Sequence, residues 1–75
     1  MIQGQHAVVL VYGTSHAIRA EQVLYRAGIA SKLIPVPRHL SSNCGVCLRI
    51  LRADQEATLE ALEETAVQIE GIHDI

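Results

Sequence analysis

Seventy-five residues are enough for one hydrophobic core, and a domain of that size hides only roughly 60% of the surface its unfolded chain exposes, so marginal stability and self-association are expected. The chain is 49% hydrophobic and 19% charged, a globular composition and not a disordered one. Six Lys and Arg against eight Asp and Glu give a net charge of −2, and there is no Phe or Trp and only two Tyr, so neither the charge nor the stacking platforms that nucleic-acid binders use are present.

The longest apolar run, Ala7 to Tyr12, is far shorter than the roughly 18 residues of a membrane span, and no signal-like segment precedes it. No membrane association and a cytoplasmic location are therefore expected. The run is β-branched and closed by Gly13, which predicts a strand buried on both faces. Thr14 or Ser15 is placed to cap a helix in which Ala17, Ala20, Glu21, Leu24 and Ala27 recur at helical spacing, with Gly28 at its C-terminal position. Ile29 to Val36 reads as a second strand, and Pro35 and Pro37 assign it to a sheet edge, since proline donates no ladder hydrogen bond. Pro37 to Gly45 is a polar loop. Val46, Leu48 and Ile50 then alternate with Cys47, Arg49 and Leu51 in a third strand ending near Arg52. Asp54 is placed to cap a second helix with Glu56 in its first turn and Leu59, Leu62 and Ala66 on one face. Val67, Ile69, Ile72 and Ile75, interrupted by Gly71, predict a short final strand with a bulge.

The order β-α-β-β-α-β over a single domain, residues 1–75, predicts an α/β (α+β) fold of ferredoxin-like type: a four-stranded antiparallel sheet with two helices on one face. In that topology the loop between the second and third strands emerges where the first helix begins. Cys44 is thus expected near Gly13, Thr14, Ser15 and His16. The bare sheet face would leave apolar residues of the first strand in water, and a homodimer through that face is the expected remedy.

The reactive feature is the loop Ser41-Ser42-Asn43-Cys44-Gly45-Val46-Cys47. Cysteines without a signal peptide are more often reactive or metal-binding than structural. Its polar, flexible setting predicts an exposed Cys44, for which the start of a helix together with Arg38, His39 and Arg49 would favour thiolate. Cys44 and Cys47 match Cys-x-x-Cys, yet residues three apart in an extended chain are roughly 10 Å apart at Cα, beyond the reach of a disulfide unless Gly45 makes a tight turn. Cys47 is then either a resolving thiol or a strand side chain on the open face. A zinc site would draw on Cys44, Cys47, His39 and His73 or His16, but no second ligand pair accompanies them, and no metal or cofactor is expected. Glu56, Glu60, Glu63 and Glu64 read as a solvated helix face, and no carboxylate pair or Ser-His-Asp set supports an independent enzyme.

The stretches Tyr12-Gly13-Thr14-Ser15-His16-Ala17, Ala27-Gly28-Ile29, Lys32-Leu33-Ile34-Pro35-Val36-Pro37-Arg38 and Leu40-Ser41-Ser42-Asn43-Cys44-Gly45 with Leu48-Arg49 resemble a family of small bacterial and archaeal selenium or sulfur carrier-like proteins. The resemblance covers nearly the whole chain, and the Pro-x-Pro-Arg segment ahead of Ser-Ser-x-Cys-Gly is its most specific part. It implies a carrier of sulfane sulfur or selenium with Cys44 as the active residue and Arg38, Ser41, Ser42 and Gly45 as its thiolate-stabilising setting. Many relatives have another residue in place of Cys47, so the resemblance does not extend to a dithiol. The resulting expectation is a non-enzymatic carrier that holds the atom on Cys44 as a persulfide or selenopersulfide, with sulfur or selenium donor and acceptor proteins as partners. The alternative is a small dimeric thiol-redox or metal-binding regulatory domain using Cys44 and Cys47.

Overall fold

The computed structural model describes residues 5–40 and 44–75. Its elements are β1 (His6–Leu10), α1 (Thr14–Arg26), β2 (Ser31–Pro35), β3 (Val46–Leu51), a 3-10 turn (Arg52–Asp54), α2 (Gln55–Glu64) and β4 (Gly71–Asp74). The sheet order is β2-β3-β1-β4, and each neighbouring pair is antiparallel. This is an α+β fold of the ferredoxin-like kind, with the proline-bearing β2 on the edge. No helix among the described residues is long and apolar enough to cross a membrane.

The inner position of β1 explains its unbroken apolar sequence. Ala7, Val8 and Val9 are fully buried and Leu10 is nearly so, because both faces of the strand are covered. On one face Ala7 and Val9 meet Ala17, Ala20 and Leu24 of α1, Leu62 of α2, and Leu48 and Ile50 of β3. Both helices therefore pack on the same side. Each fully buried leucine or isoleucine in this cluster contributes about 1.5–3 kcal/mol relative to exposure.

On the other face the expectation of apolar residues left in water is overturned. Val8, Leu10 and Cys47 form a second buried cluster, roofed by Ile34, Val36 and Leu40. Val36 and Leu40 come from the segment after β2, where the Leu40 N–H closes a turn onto the Pro37 carbonyl at 3.0 Å. The chain itself thus covers these residues of the first strand.

The helix starts also differ from expectation. Gly13, extended at φ −170°, holds the N-cap of α1 and offers no side chain, while Thr14 is already the first helical residue. Asp54 does stand at the N-cap of α2, but its side chain makes no capping bond. The helix ends follow one pattern. Gly28 (φ 77°) and Ala66 (φ 57°) each take the left-handed conformation just past a helix. At the first, Gly28 N–H donates to Tyr25 O and Ile29 N–H to Leu24 O; at the second, Ala66 N–H donates to Glu63 O and Val67 N–H to Leu62 O. Both are Schellman motifs, closed by the packing of Ile29 and Val67 into the core that holds Leu24 and Leu62.

In α2 the buried residues are Thr58 and Leu62, four apart, and not the expected stripe of Leu59, Leu62 and Ala66. Leu59 stands about 100° around the helix from Thr58 and is 42% exposed, and Ala66 lies beyond the helix end. Gly71 opens β4 where a bulge was expected. The pairing of β4 with β1 is extended at both ends by Glu70 N–H to Leu10 O (2.7 Å) and Ile75 N–H to His6 O (3.2 Å). Asp74 accepts from Gln55 Nε2 at 2.6 Å and pairs with Arg52 at 3.1 Å, tying β4 to the start of α2.

Candidate functional site

Three chain reversals converge at the end of the sheet where β1 and β2 finish and β3 begins. Gly13 and Thr14 start α1 there, the Pro37–Leu40 turn follows β2, and Cys44 leads into β3 through a bend. The topology brings residues thirty apart in sequence together: Cys44 Sγ lies 4.0 Å from Thr14 Oγ1, within hydrogen-bonding range for sulfur. Thr14 is the first residue of α1, so the thiol sits at the positive end of that helix, where backbone N–H groups lack intrahelical acceptors.

Cys44 is not the exposed side chain that its polar neighbours suggest. It is 6% exposed and belongs to the helix-side core with Val11 and Ala17. The bend at Cys44 and Gly45 leads into β3, and the Cys44 thiol packs into the interior. Beside it Gly45 is exposed, with open space where a Cβ would stand. Gly45 also carries the ladder past Pro35, its carbonyl accepting from Val36 N–H at 3.1 Å.

Cys47 faces the other way. It is fully buried in the second cluster with Val8 and Leu10, and its Sγ reaches the Pro35 carbonyl at 3.9 Å. Burial pushes the Cys47 thiol up from its ordinary value, and the neighbouring Cys44 pushes it further in the same direction. A thiol so placed stays protonated at neutral pH and is a poor nucleophile. Neither cysteine is in a disulfide, and the sheet separates them.

Of the other residues read from the sequence, Arg38 is exposed in the Pro37–Leu40 turn that follows β2. Ser41 and Ser42 lie outside the described residues. His39 shares the turn with Arg38, and His73 lies on β4; among the described residues no three His, Cys, Asp or Glu side chains gather as a metal site would need. His16 folds back over Gly13, its ring edge-on to Tyr12 at 6.3 Å, with Nδ1 buried and without a hydrogen-bond partner among the described residues. That orphaned nitrogen has no signal in the sequence, where His16 reads as an ordinary first-turn residue. An open groove of about 510 Å³ lined by Tyr25, Arg26 and Ile29 lies at the far end of α1, away from the thiol.

Comparison with known proteins gives one match. A family model described as "Putative Se/S carrier protein-like" fits residues 6–74, which takes in every strand and helix above. None of the curated proteins compared, and none of the solved structures, matches the chain. A match over nearly the full length, with Cys44 at the mouth of the fold, makes this chain a member of the Se/S carrier-like family.

Proposed function

We propose that the protein carries a sulfur or selenium atom on Cys44, as a persulfide or selenopersulfide, between a donor and an acceptor protein. The observation that carries this reading is the position of Cys44 Sγ beside Thr14 Oγ1 at the start of α1, in a chain that belongs to a carrier-like family. Loading would proceed by attack of the Cys44 thiolate on the outer sulfur of a donor persulfide. The Cys44–sulfur bond forms, the donor sulfur–sulfur bond breaks, and the donor cysteine leaves as thiolate. No external oxidant or reductant is needed, and delivery is the same exchange run onto an acceptor.

The helix end and the Thr14 hydroxyl would stabilise negative charge on the attacking sulfur and on the terminal sulfur of the product. Burial in an aliphatic core would shelter that product from stray thiols, and the open space at Gly45 offers the side of approach. Arg38, Ser41 and Ser42 remain proposed parts of this setting. The role needs one thiol and a reducing compartment such as the cytoplasm.

The dithiol alternative has less support, because Cys47 lies under the opposite face. The test is intact-protein mass after incubation with a cysteine desulfurase and free cysteine. A gain of about 32 Da that survives Cys47→Ser and disappears in Cys44→Ser is expected. Loading that depends equally on both cysteines would overturn the single-thiol reading.

A further inference from the structure

The open sheet face has an uneven charge at the margin of the cluster roofed by Ile34, Val36 and Leu40. Register places Lys32 opposite Arg49, Arg49 opposite Val8, and Val8 opposite His73, a row that crosses all four strands. Lys32 and His73 are exposed, Arg49 is half-buried, and Val8 between Arg49 and His73 is fully buried, so the polar side chains border a covered apolar patch. None of the three polar side chains makes an ion pair with a described residue, and the Arg52–Asp74 pair lies toward the start of α2. Alternation along the strands puts no carboxylate at any position of this face, since Asp74 stands opposite Ala7 on the helix side. The acidic residues collect elsewhere: Glu56, Glu60, Glu63 and Glu64 are exposed on or at the end of α2. A chain with net charge −2 therefore presents a cationic face on one side and an anionic helix on the other.

We propose that this row docks an acidic surface of a partner protein. Charge complementarity selects the occupant. Nucleic acid is disfavoured because neither tyrosine lies in the sheet and the chain as a whole is anionic, so stacking is absent and long-range attraction is weak. A symmetric pair of this chain through the same face would set Lys32 and Arg49 of one protomer against those of the other, and like charges brought together cost several kcal/mol. A head-to-tail copy could offer its acidic α2, but that helix lies on the opposite side of the molecule, so the contact would propagate as an open chain and not close. The remaining occupant is a different protein with carboxylates spaced along a strand or helix. This surface does not depend on the chemistry of Cys44.

The experiment follows backbone amide shifts of the intact protein as an oligoglutamate peptide of about a dozen residues is added at low salt, with a single-stranded oligonucleotide of equal charge as the second arm. Shifts confined to Lys32, Arg49, His73 and their strand neighbours, weakened by salt, are expected. Affinity should fall at least about tenfold in Lys32→Glu/Arg49→Glu, which is about 1.4 kcal/mol, and stay unchanged in Arg19→Glu/Arg26→Glu on α1. If the half-buried position rejects glutamate, Lys32→Gln/Arg49→Gln with a native spectrum should show the same trend. Absent binding, shifts centred on α1, or tighter binding of the oligonucleotide at the same residues would overturn the proposal. Concentration-dependent shifts of this row without any ligand would also overturn it, by showing that a second copy occupies the face.

Discussion

Cys44 and Cys47 are three residues apart in sequence and lie on opposite faces of one sheet, Cys44 among Val11 and Ala17 and Cys47 among Val8 and Leu10. A disulfide needs its Cβ atoms roughly 3.5–4.5 Å apart and directed at each other. Oxidation of the folded protein with diamide should therefore give little intramolecular bond. Intact mass and thiol counting should show two free thiols or an intermolecular dimer through Cys44. A high yield of the monomeric disulfide would mean that β3 unpairs at its first residues under native conditions.

The Cys47 thiol, pushed up mainly by burial, links stability to alkaline pH. The native state holds this proton more tightly than the unfolded chain does, so the contribution is fully present below the ordinary thiol value of about 8.5 and is lost as pH rises through the higher native value. Urea midpoints measured from pH 7 upward should fall on the alkaline side, and the fall should be shallower in Cys47→Ala, whatever the cost of that cavity at neutral pH. Parallel curves for the two proteins would remove Cys47 as the cause.

Two changes should stabilise the fold. Ala66 holds a left-handed position (φ 57°) that its Cβ resists, whereas the matching position after α1 is Gly28. Ala66→Gly should gain about 0.5–1 kcal/mol, net of the added flexibility of the unfolded chain. Thr58 Oγ1 is buried with no hydrogen-bond partner among the described residues, and Thr58→Val keeps the shape while removing an undischarged polar group. A gain of about 1 kcal/mol is expected, read from chemical denaturation, and a loss would reveal a partner for the hydroxyl.

Leu62→Ala should cost about 2–5 kcal/mol, while Leu59→Ala, at a position 42% exposed, should cost less than about 1. Similar losses at both sites would mean that the outer face of α2 is covered in solution.

The outline of the fold is legible in the sequence because its punctuation is chemical. Gly28 marks a left-handed turn, Pro35 marks an edge, and the apolar run from Ala7 marks an inner strand. The end of α2 is not so marked, since alanine at position 66 gives no sign of positive φ, and the apolar spacing of Leu59, Leu62 and Ala66 runs past the helix end at Glu64. The meeting of Cys44 with Thr14 follows from topology alone. The burial of Cys44 does not, because the polar residues ahead of it in sequence give no sign that the thiol turns inward at the bend before β3. The roof over Leu10 is hidden for a similar reason. Val36 and Leu40 are separated by Pro37, Arg38 and His39 and show no periodicity, yet a single turn brings both over one strand.

The pairing of β1 with β4 also fixes where Ile75 stands relative to the thiol. His6 and Ile75 are joined by a backbone hydrogen bond at the edge of the sheet remote from Cys44. A reporter group placed at Ile75 by substitution would stand at that remote edge. The Cys44 end of the sheet would stay clear of it, so the approach of another protein to the thiol could be followed without the reporter meeting it.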